Sequence, residues 1–120
     1  MDWPFLLIAG VVFAAWLLWK RSGCLDAKAA RQFLQEGALL IDVRTASEFG
    51  GGHLPGARNI PLDVIAERLP AEVQDQEKVI LLYCASGTRS GFAKSRLQRL
   101  GYRNVHNLGS LGRARSIQAG

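Results

Sequence analysis

Acidic side chains stop at Glu77. Residues 78–120 carry eight Lys or Arg and no Asp or Glu, whereas residues 1–77 hold all ten acids and seven bases. The formal charge of +5 is therefore concentrated in the C-terminal half, which favours an anionic partner there without saying which one. Cysteine is also scarce. With Cys24 and Cys84 alone, a disulfide scaffold is excluded, and the lack of a Cys-x-x-Cys pair argues against a zinc ribbon. Histidine appears only as His53 and His106, and neither stands at metal-ligand spacing from a cysteine, so no metal or organic cofactor is expected. Internal repeats are absent, and no tryptophan follows Trp19. Wholesale disorder is excluded, because 48% of the 120 residues are apolar and 21% charged. The length suffices for one small domain.

The longest uncharged run is the 17 residues from Trp3 to Trp19. As a helix it reaches about 25 Å at about 1.5 Å per residue, against a hydrocarbon core of about 30 Å. Trp3 at one end, and Trp16 with Trp19 at the other, match interfacial aromatic belts, while Lys20 and Arg21 can snorkel outward or meet anionic lipid. A cleaved signal peptide fits less well: Met1-Asp2 precede the run without a base, and no Ala-x-Ala site appears. Ser22-Gly23-Cys24 resembles a lipoprotein cleavage box only in part, since Arg21 occupies a position that needs an apolar residue. The expected organisation is a transmembrane anchor over 3–19, a linker over 20–25 and a folded domain over 26–120. Bases after the anchor put that domain in the cytoplasm. Cys24 is then a bystander in the linker, just beyond the anchor.

The remainder alternates helix and strand signals. Asp26 is placed to cap a helix through Glu36, with Gly37 as its stop. Leu39-Leu40-Ile41-Asp42-Val43 and Val79-Ile80-Leu81-Leu82-Tyr83 are continuous apolar runs of the kind buried on both faces of a parallel sheet. Gly50-Gly51-Gly52 reads as a turn and Asn59-Ile60 as a brief strand. Asp63 is placed to cap a helix carrying Leu62, Ile65 and Leu69 on one face and ended by Pro70. Thr88–Leu100 reads as a helix with Ala93, Leu97 and Leu100 inward and Lys94, Arg96 and Arg99 toward water. Val105–Leu108 closes the series. Such alternation predicts an α/β fold with a mainly parallel sheet covered on both faces.

The chemistry concentrates where the strongest strand meets its helix, at Tyr83-Cys84-Ala85-Ser86-Gly87-Thr88-Arg89-Ser90. Open α/β sheets place ligands at the carboxyl ends of their strands. A tight turn at Gly87 into a helix can aim several backbone N–H groups inward and adds the positive end of the helix dipole. Both favour a thiolate on Cys84. An isolated cysteine closing an apolar strand is ordinarily inert, so the loop around this one is what marks it as a nucleophile. Arg89 is available to neutralise an anionic donor. Asp42, Arg44 and Glu48 read as an ion pair that fixes loops, His53 as a hydrogen-bonded turn residue and His106 as a strand residue. The basic face of 88–103 lacks the aromatic interleaving of a nucleic-acid site.

Several separated segments resemble the rhodanese-like family. Ile41-Asp42-Val43-Arg44 with Glu48-Phe49 is similar to its first signature. Gly52-His53-Leu54-Pro55-Gly56-Ala57 with Asn59-Ile60-Pro61 is similar to its second. Cys84 through Arg89 resembles its active-site loop, and Gly101-Tyr102, Asn104-Val105 and Asn107-Leu108-Gly109 its closing segment. The resemblance spans residues 24–112 and implies a five-stranded sheet flanked by helices, with a sulfurtransferase activity of the thiosulfate:cyanide type. It assigns Cys84 as the sulfur carrier and Ala85, Ser86, Gly87, Thr88, Arg89 and Ser90 as the substrate cradle, beside Asp42, Arg44 and His53, which their own settings mark as structural support. The Cys84–Arg89 loop has six residues, the length the resemblance associates with sulfur transfer, whereas related phosphatases and arsenate reductases use seven. The implied partners are a small anionic sulfur donor and a thiol or cyanide acceptor, and a protein partner stays open. A membrane-tethered persulfide carrier or protein-binding module is the alternative reading. Two departures stand out. Ala85 replaces the base that often follows the cysteine in thiosulfate-preferring members, which implies a weak response to thiosulfate. The closing segment lacks its usual second glycine and tryptophan, which implies a looser or differently docked C-terminus.

Overall fold

The computed structural model describes residues 3–120, and the side chains of residue 3 and of residues 16–22 lie outside that description. The first helix, α1 (Trp3–Ser22), contains the uncharged run, and its described side chains from Pro4 to Ala15 are exposed. The expected single-pass anchor is corrected here: among the described residues, no helix is long and apolar enough to cross a membrane. Physically, the uncharged run ends at Lys20 after about 25 Å, before a core of about 30 Å is traversed. The single-pass placement facing the cytoplasm, with residues 3–19 as the span, falls with it, as does the tether, though not the carrier or binding-module part, of the alternative reading. Met1, Asp2 and the side chains of Trp3, Trp16, Trp19, Lys20 and Arg21, on which the belt and snorkelling readings rest, lie outside the described residues.

Beyond α1 the chain alternates α2 (Ala27–Gln35), β1 (Leu39–Asp42), α3 (Ala46–Gly50), β2 (Arg58–Asn59), a 3-10 turn at Leu62–Val64, α4 (Ile65–Glu72), β3 (Ile80–Cys84), α5 (Thr88–Arg99), β4 (Val105–Ser110) and α6 (Leu111–Ala119). The strands form a parallel sheet in the order β2-β1-β3-β4. Among the described residues it has four strands, not the five expected. The reason lies beside β4. Because α1 continues to Ser22 and Asp26 already caps α2, only residues 23–25 pass along that edge, and they contribute a single bond, from Leu25 N to Asn107 O at 2.8 Å.

Side-chain alternation divides β3 between two cores. Leu81 and Tyr83 join Ala30, Leu40, Leu108, Ala114 and Ile117 under α2 and α6. Ile80, Leu82 and Cys84 join Ile41, Ile65, Leu69, Ala93 and Leu97 under α4 and α5. Each fully buried Leu or Ile stabilises the fold by about 1.5–3 kcal/mol relative to exposure. Cys84 is thus the last member of a row of core residues on the α5 face. A register shift between Leu82 and Tyr83 makes Asn107 the partner of Leu82 and Gly109 the partner of Tyr83, so Leu108 bulges.

Several local expectations hold and others change. Asp26 accepts from Ala29 N at the start of α2, and Gly37 takes φ +91° after its end. The glycine run starts on the last residue of α3, which is opened by a capping box in which Thr45 and Glu48 bond reciprocally. Pro70 does not end α4, which runs on to Glu72. Ala66, four residues earlier, is exposed, so water can take the carbonyl that proline leaves without an N–H. Leu100 is 42% exposed instead of inward, because α5 ends at Arg99 and Tyr102 fills the space beyond, donating to Val73 O. The C-terminus is no loose tail: Ser110 caps α6 by accepting from Arg113 N, and Ala114 and Ile117 bury against α2.

Candidate active site

Cys84 closes β3, and its residue is 0% exposed. The chain then turns at Gly87 (φ +94°) directly into α5, which has no side-chain cap. Glycine is required at this turn twice over. The backbone is left-handed, and a Cβ there would stand 3.1 Å from Gly109 Cα, on the neighbouring strand. This close passage brings Gly87 N to 2.9 Å from Cys84 Sγ, with Ser90 Oγ at 3.5 Å. Burial pushes the Cys84 thiol up, but hydrogen bonds from the Ser90 hydroxyl and from the N–H groups of Ser90, Ser86 and Gly87 outweigh it. The thiol is held below its ordinary value. Ala85, Ser86 and Thr88 face solvent around the buried sulfur, and Ser86 bridges back to Ser110.

Arg89, offered by the sequence to an anionic donor, is engaged. Its guanidinium forms a two-pronged pair with Glu48, at 2.6 Å and 3.0 Å. Arg89 and the Thr45 backbone together hold the Glu48 carboxyl down to about 2. The pair ties the active-site loop to α3, across 41 residues of sequence.

Asp42 and Arg44 form the expected ion pair. The guanidinium grips both carboxylate oxygens, at 2.7–3.0 Å, and also donates to Gly52 O. Asn59 Nδ2 donates to the carbonyls of Asp42 and Arg44, which pins β2 to the end of β1. His53 stacks on Phe49 with ring centroids 3.6 Å apart, and its Nδ1 lies 3.0 Å from Phe49 O. Asp42, Arg44, Asn59 and His53 together brace the segment from β1 to β2. His106 stacks on Phe33 of α2, where burial lowers its pKa. Cys24 is nearer the loop than its place after α1 suggests: it lines a groove of about 730 Å³ together with Ser86, Gly87, Thr88 and Asn107.

Two residues at the site escaped assignment from the sequence. Glu48 was grouped with Asp42 and Arg44, yet its partner is Arg89; the Thr45-x-x-Glu48 capping pattern was the available signal. Asn107 is buried and bonds to Gly87, Ser90 and Gly109, and nothing in its immediate sequence reveals that.

A strand, a tight glycine turn and a helix that together aim donors at one buried sulfur form the site of an α/β domain built around a thiol held below its ordinary pKa. The chain belongs to the rhodanese-like domain family, whose model matches residues 26–111. Over 71 residues it is 41% identical to the thiosulfate sulfurtransferase PspE of Escherichia coli, covering 59% of this chain and 68% of that one. Over 86 residues it is 37% identical to a sulfurtransferase of Allochromatium vinosum, covering 70% and 78%. A solved structure described as rhodanese with anions from E. coli superposes with a TM-score of 0.62 at 38% identity, covering 64% of this chain and 91% of that one. Family and relatives place the chain among enzymes of the rhodanese-like sulfurtransferase type.

Proposed function

We propose that the chain moves a sulfane sulfur from a donor to a thiophilic acceptor by double displacement, with Cys84 as the covalent carrier. The observation that carries this reading is a buried sulfur that receives a backbone N–H at 2.9 Å and sits among donors that lower its pKa. In the first half-reaction the Cys84 thiolate attacks the sulfane sulfur of the donor. The new S–S bond forms as the donor's own bond breaks, and sulfite (from thiosulfate) or a thiolate (from a small persulfide) leaves with the electron pair. The N–H groups lining Ala85 to Ser90, reinforced by the positive end of α5, hold the persulfide anion. In the second half-reaction cyanide or a thiol takes the outer sulfur, and the Cys84 thiolate returns. A covalent intermediate makes the kinetics ping-pong.

The site also bears on the donor. With Ala85 after the cysteine and Arg89 committed to Glu48, no free cation of the loop faces the donor's charge. Small persulfides are therefore better donors than the dianionic thiosulfate. The test is intact mass of the wild-type chain and of Cys84→Ala after incubation with either donor. A gain of one sulfur atom, faster with the persulfide, removed by cyanide and missing from Cys84→Ala, is expected. No gain with either donor refutes sulfur transfer at Cys84.

A further inference from the structure

Asn107 is a buried polar side chain beside the sulfur that the double displacement does not use. Its partners fix which way the amide points. Gly109 N–H, at 2.8 Å, needs an acceptor, and Gly87 O, at 3.1 Å, needs a donor. Oδ1 therefore faces Gly109 and Nδ2 faces Gly87; a flipped amide would set donor against donor and oxygen against oxygen. With Oδ1 so placed, the 2.7 Å contact from Ser90 Oγ admits one direction only, the Ser90 hydroxyl donating to Asn107.

Ser90 has a single hydroxyl proton and three neighbours able to accept it. Gly87 O, at 3.1 Å, already receives Gly91 N and Asn107 Nδ2, both also at 3.1 Å. The contest is thus between Asn107 Oδ1 at 2.7 Å and Cys84 Sγ at 3.5 Å. Distance favours the amide, whereas a negative charge on sulfur favours the sulfur.

We propose that Asn107 is a positioning residue for Cys84, competing with the sulfur for the Ser90 proton and so setting how readily the thiolate forms. Its weight in catalysis rests on the sulfur-transfer reading; the competition itself does not. Among the described residues, the charged groups near the Cys84 loop are Arg89 with its partner Glu48 of α3, the Asp42–Arg44 pair at the end of β1, Lys94 on α5 in the groove beside Ser86 and Gly87, and Arg113 of α6, bound to Leu108 O and Leu25 O. Tyr83 lies on the other face of the sheet, its hydroxyl taken by Leu54 N. Replacing Asn107 by leucine, of similar size, alters none of these charges.

The experiment is alkylation of the full chain by iodoacetamide across pH, read at the Cys84 peptide by mass so that Cys24 does not interfere. In Asn107→Leu the apparent pKa of Cys84 is expected to fall by about one unit, a tenfold gain in thiolate well below the midpoint. In the Ser90→Ala background the same substitution is expected to produce no fall. A residue that merely braced the Gly87 carbonyl would, once removed, let the loop donors drift and raise the pKa. An unchanged or raised value with Ser90 present, or an equal fall without it, overturns the proposal. A second readout needs no Asn107 variant: the Asn107 side-chain amide resonance moves with the Cys84 midpoint in the native chain and stays still in Ser90→Ala. A resonance that stays still in the native chain also overturns it. Alkylation requires no sulfur transfer, so failure of the sulfur-transfer reading leaves this test intact.

Discussion

Gly87→Ala separates backbone conformation from steric contact at the centre of the site, because Gly56→Ala supplies a matched control. Both glycines are left-handed, at φ +94° and +79°. Around Gly56 a new Cβ meets nothing within 4 Å, whereas at Gly87 it meets Gly109 Cα at 3.1 Å and Gly109 C at 3.2 Å. Left-handed alanine costs about 1–2 kcal/mol, offset in part by about 0.4–1 kcal/mol from a stiffer unfolded chain. Gly56→Ala should therefore destabilise by about 1 kcal/mol. At Gly87 the neighbour is backbone of β4 and cannot rotate away, so the loop and β4 must part by a few tenths of an ångström. That brings the total to about 2–3 kcal/mol. For a domain of this size the melting temperature falls by about 5 °C for Gly56→Ala and by about twice that or more for Gly87→Ala. The shift also carries Gly87 N away from the sulfur, so Cys84 alkylation at neutral pH slows in Gly87→Ala and not in Gly56→Ala. Calorimetry with iodoacetamide kinetics reads both quantities. Equal melting temperatures for the two variants, or unchanged alkylation in Gly87→Ala, would refute the packing argument.

Other expectations follow from single contacts. The Glu48 carboxyl titrates near 2 by carbon NMR and returns toward 4.5 in Arg89→Gln. Since its folded pKa is depressed, the stability it contributes is present above about 4.5 and lost as pH falls toward 2, so acid unfolding between those values is shallower in Arg89→Gln. Burial raises the Tyr83 hydroxyl to about 12, which keeps the folded chain stable below pH 10 and erodes that stability as pH rises to 12. Phenolate absorbance of the native chain therefore lags that of the unfolded chain. Tyr83→Phe leaves Leu54 N–H buried without an acceptor and costs about 1–3 kcal/mol by urea titration. Leu97→Ala, at the centre of the α5 face, costs about 2–5 kcal/mol in the same assay while leaving the Cys84 loop sequence intact.

What the sequence disclosed tracks how local each determinant is. The strands at 39–43 and 79–83 were legible because unbroken aliphatic runs of that length bury on both faces and little else does. The donor-lined cysteine loop was legible because Cys84, Gly87 and the start of α5 are contiguous. Ser90 came with them. The two residues that complete the site come from elsewhere: Glu48 reaches Arg89 across 41 residues, and Asn107 reaches Gly87 across 20. Neither distance leaves a periodic trace. Helix α3 was hidden by a run of three glycines that starts on its last residue, although its capping pair was in plain view. Pro70 and Leu100 misled for different reasons: the carbonyl that Pro70 leaves unpaired lies open to water, and Tyr102 takes the inward space beyond the end of α5. The missing fifth strand depends on where α1 stops, which no residue of the edge itself encodes. Helix α6 formed without the tryptophan of the closing segment because Ser110 caps it and Ala114 and Ile117 find α2.

The parallel arrangement of β1, β3 and β4 also governs when the sulfur becomes reactive during folding. Parallel neighbours cannot zip from a shared hairpin; each pairing waits for a helical crossover to close a long loop. Gly87 is brought to the sulfur by its own loop, but Gly109 and Asn107 arrive only with β4, and Glu48 only with β1 and α3. A chain with β3 and α5 formed alone would already hold the donors of Ser86, Gly87 and Ser90 around the sulfur, without Asn107 to compete for the Ser90 proton. The acidity of Cys84 is thus built locally and trimmed when β4 arrives, so its alkylation during refolding should quicken before the two cores are buried instead of with them.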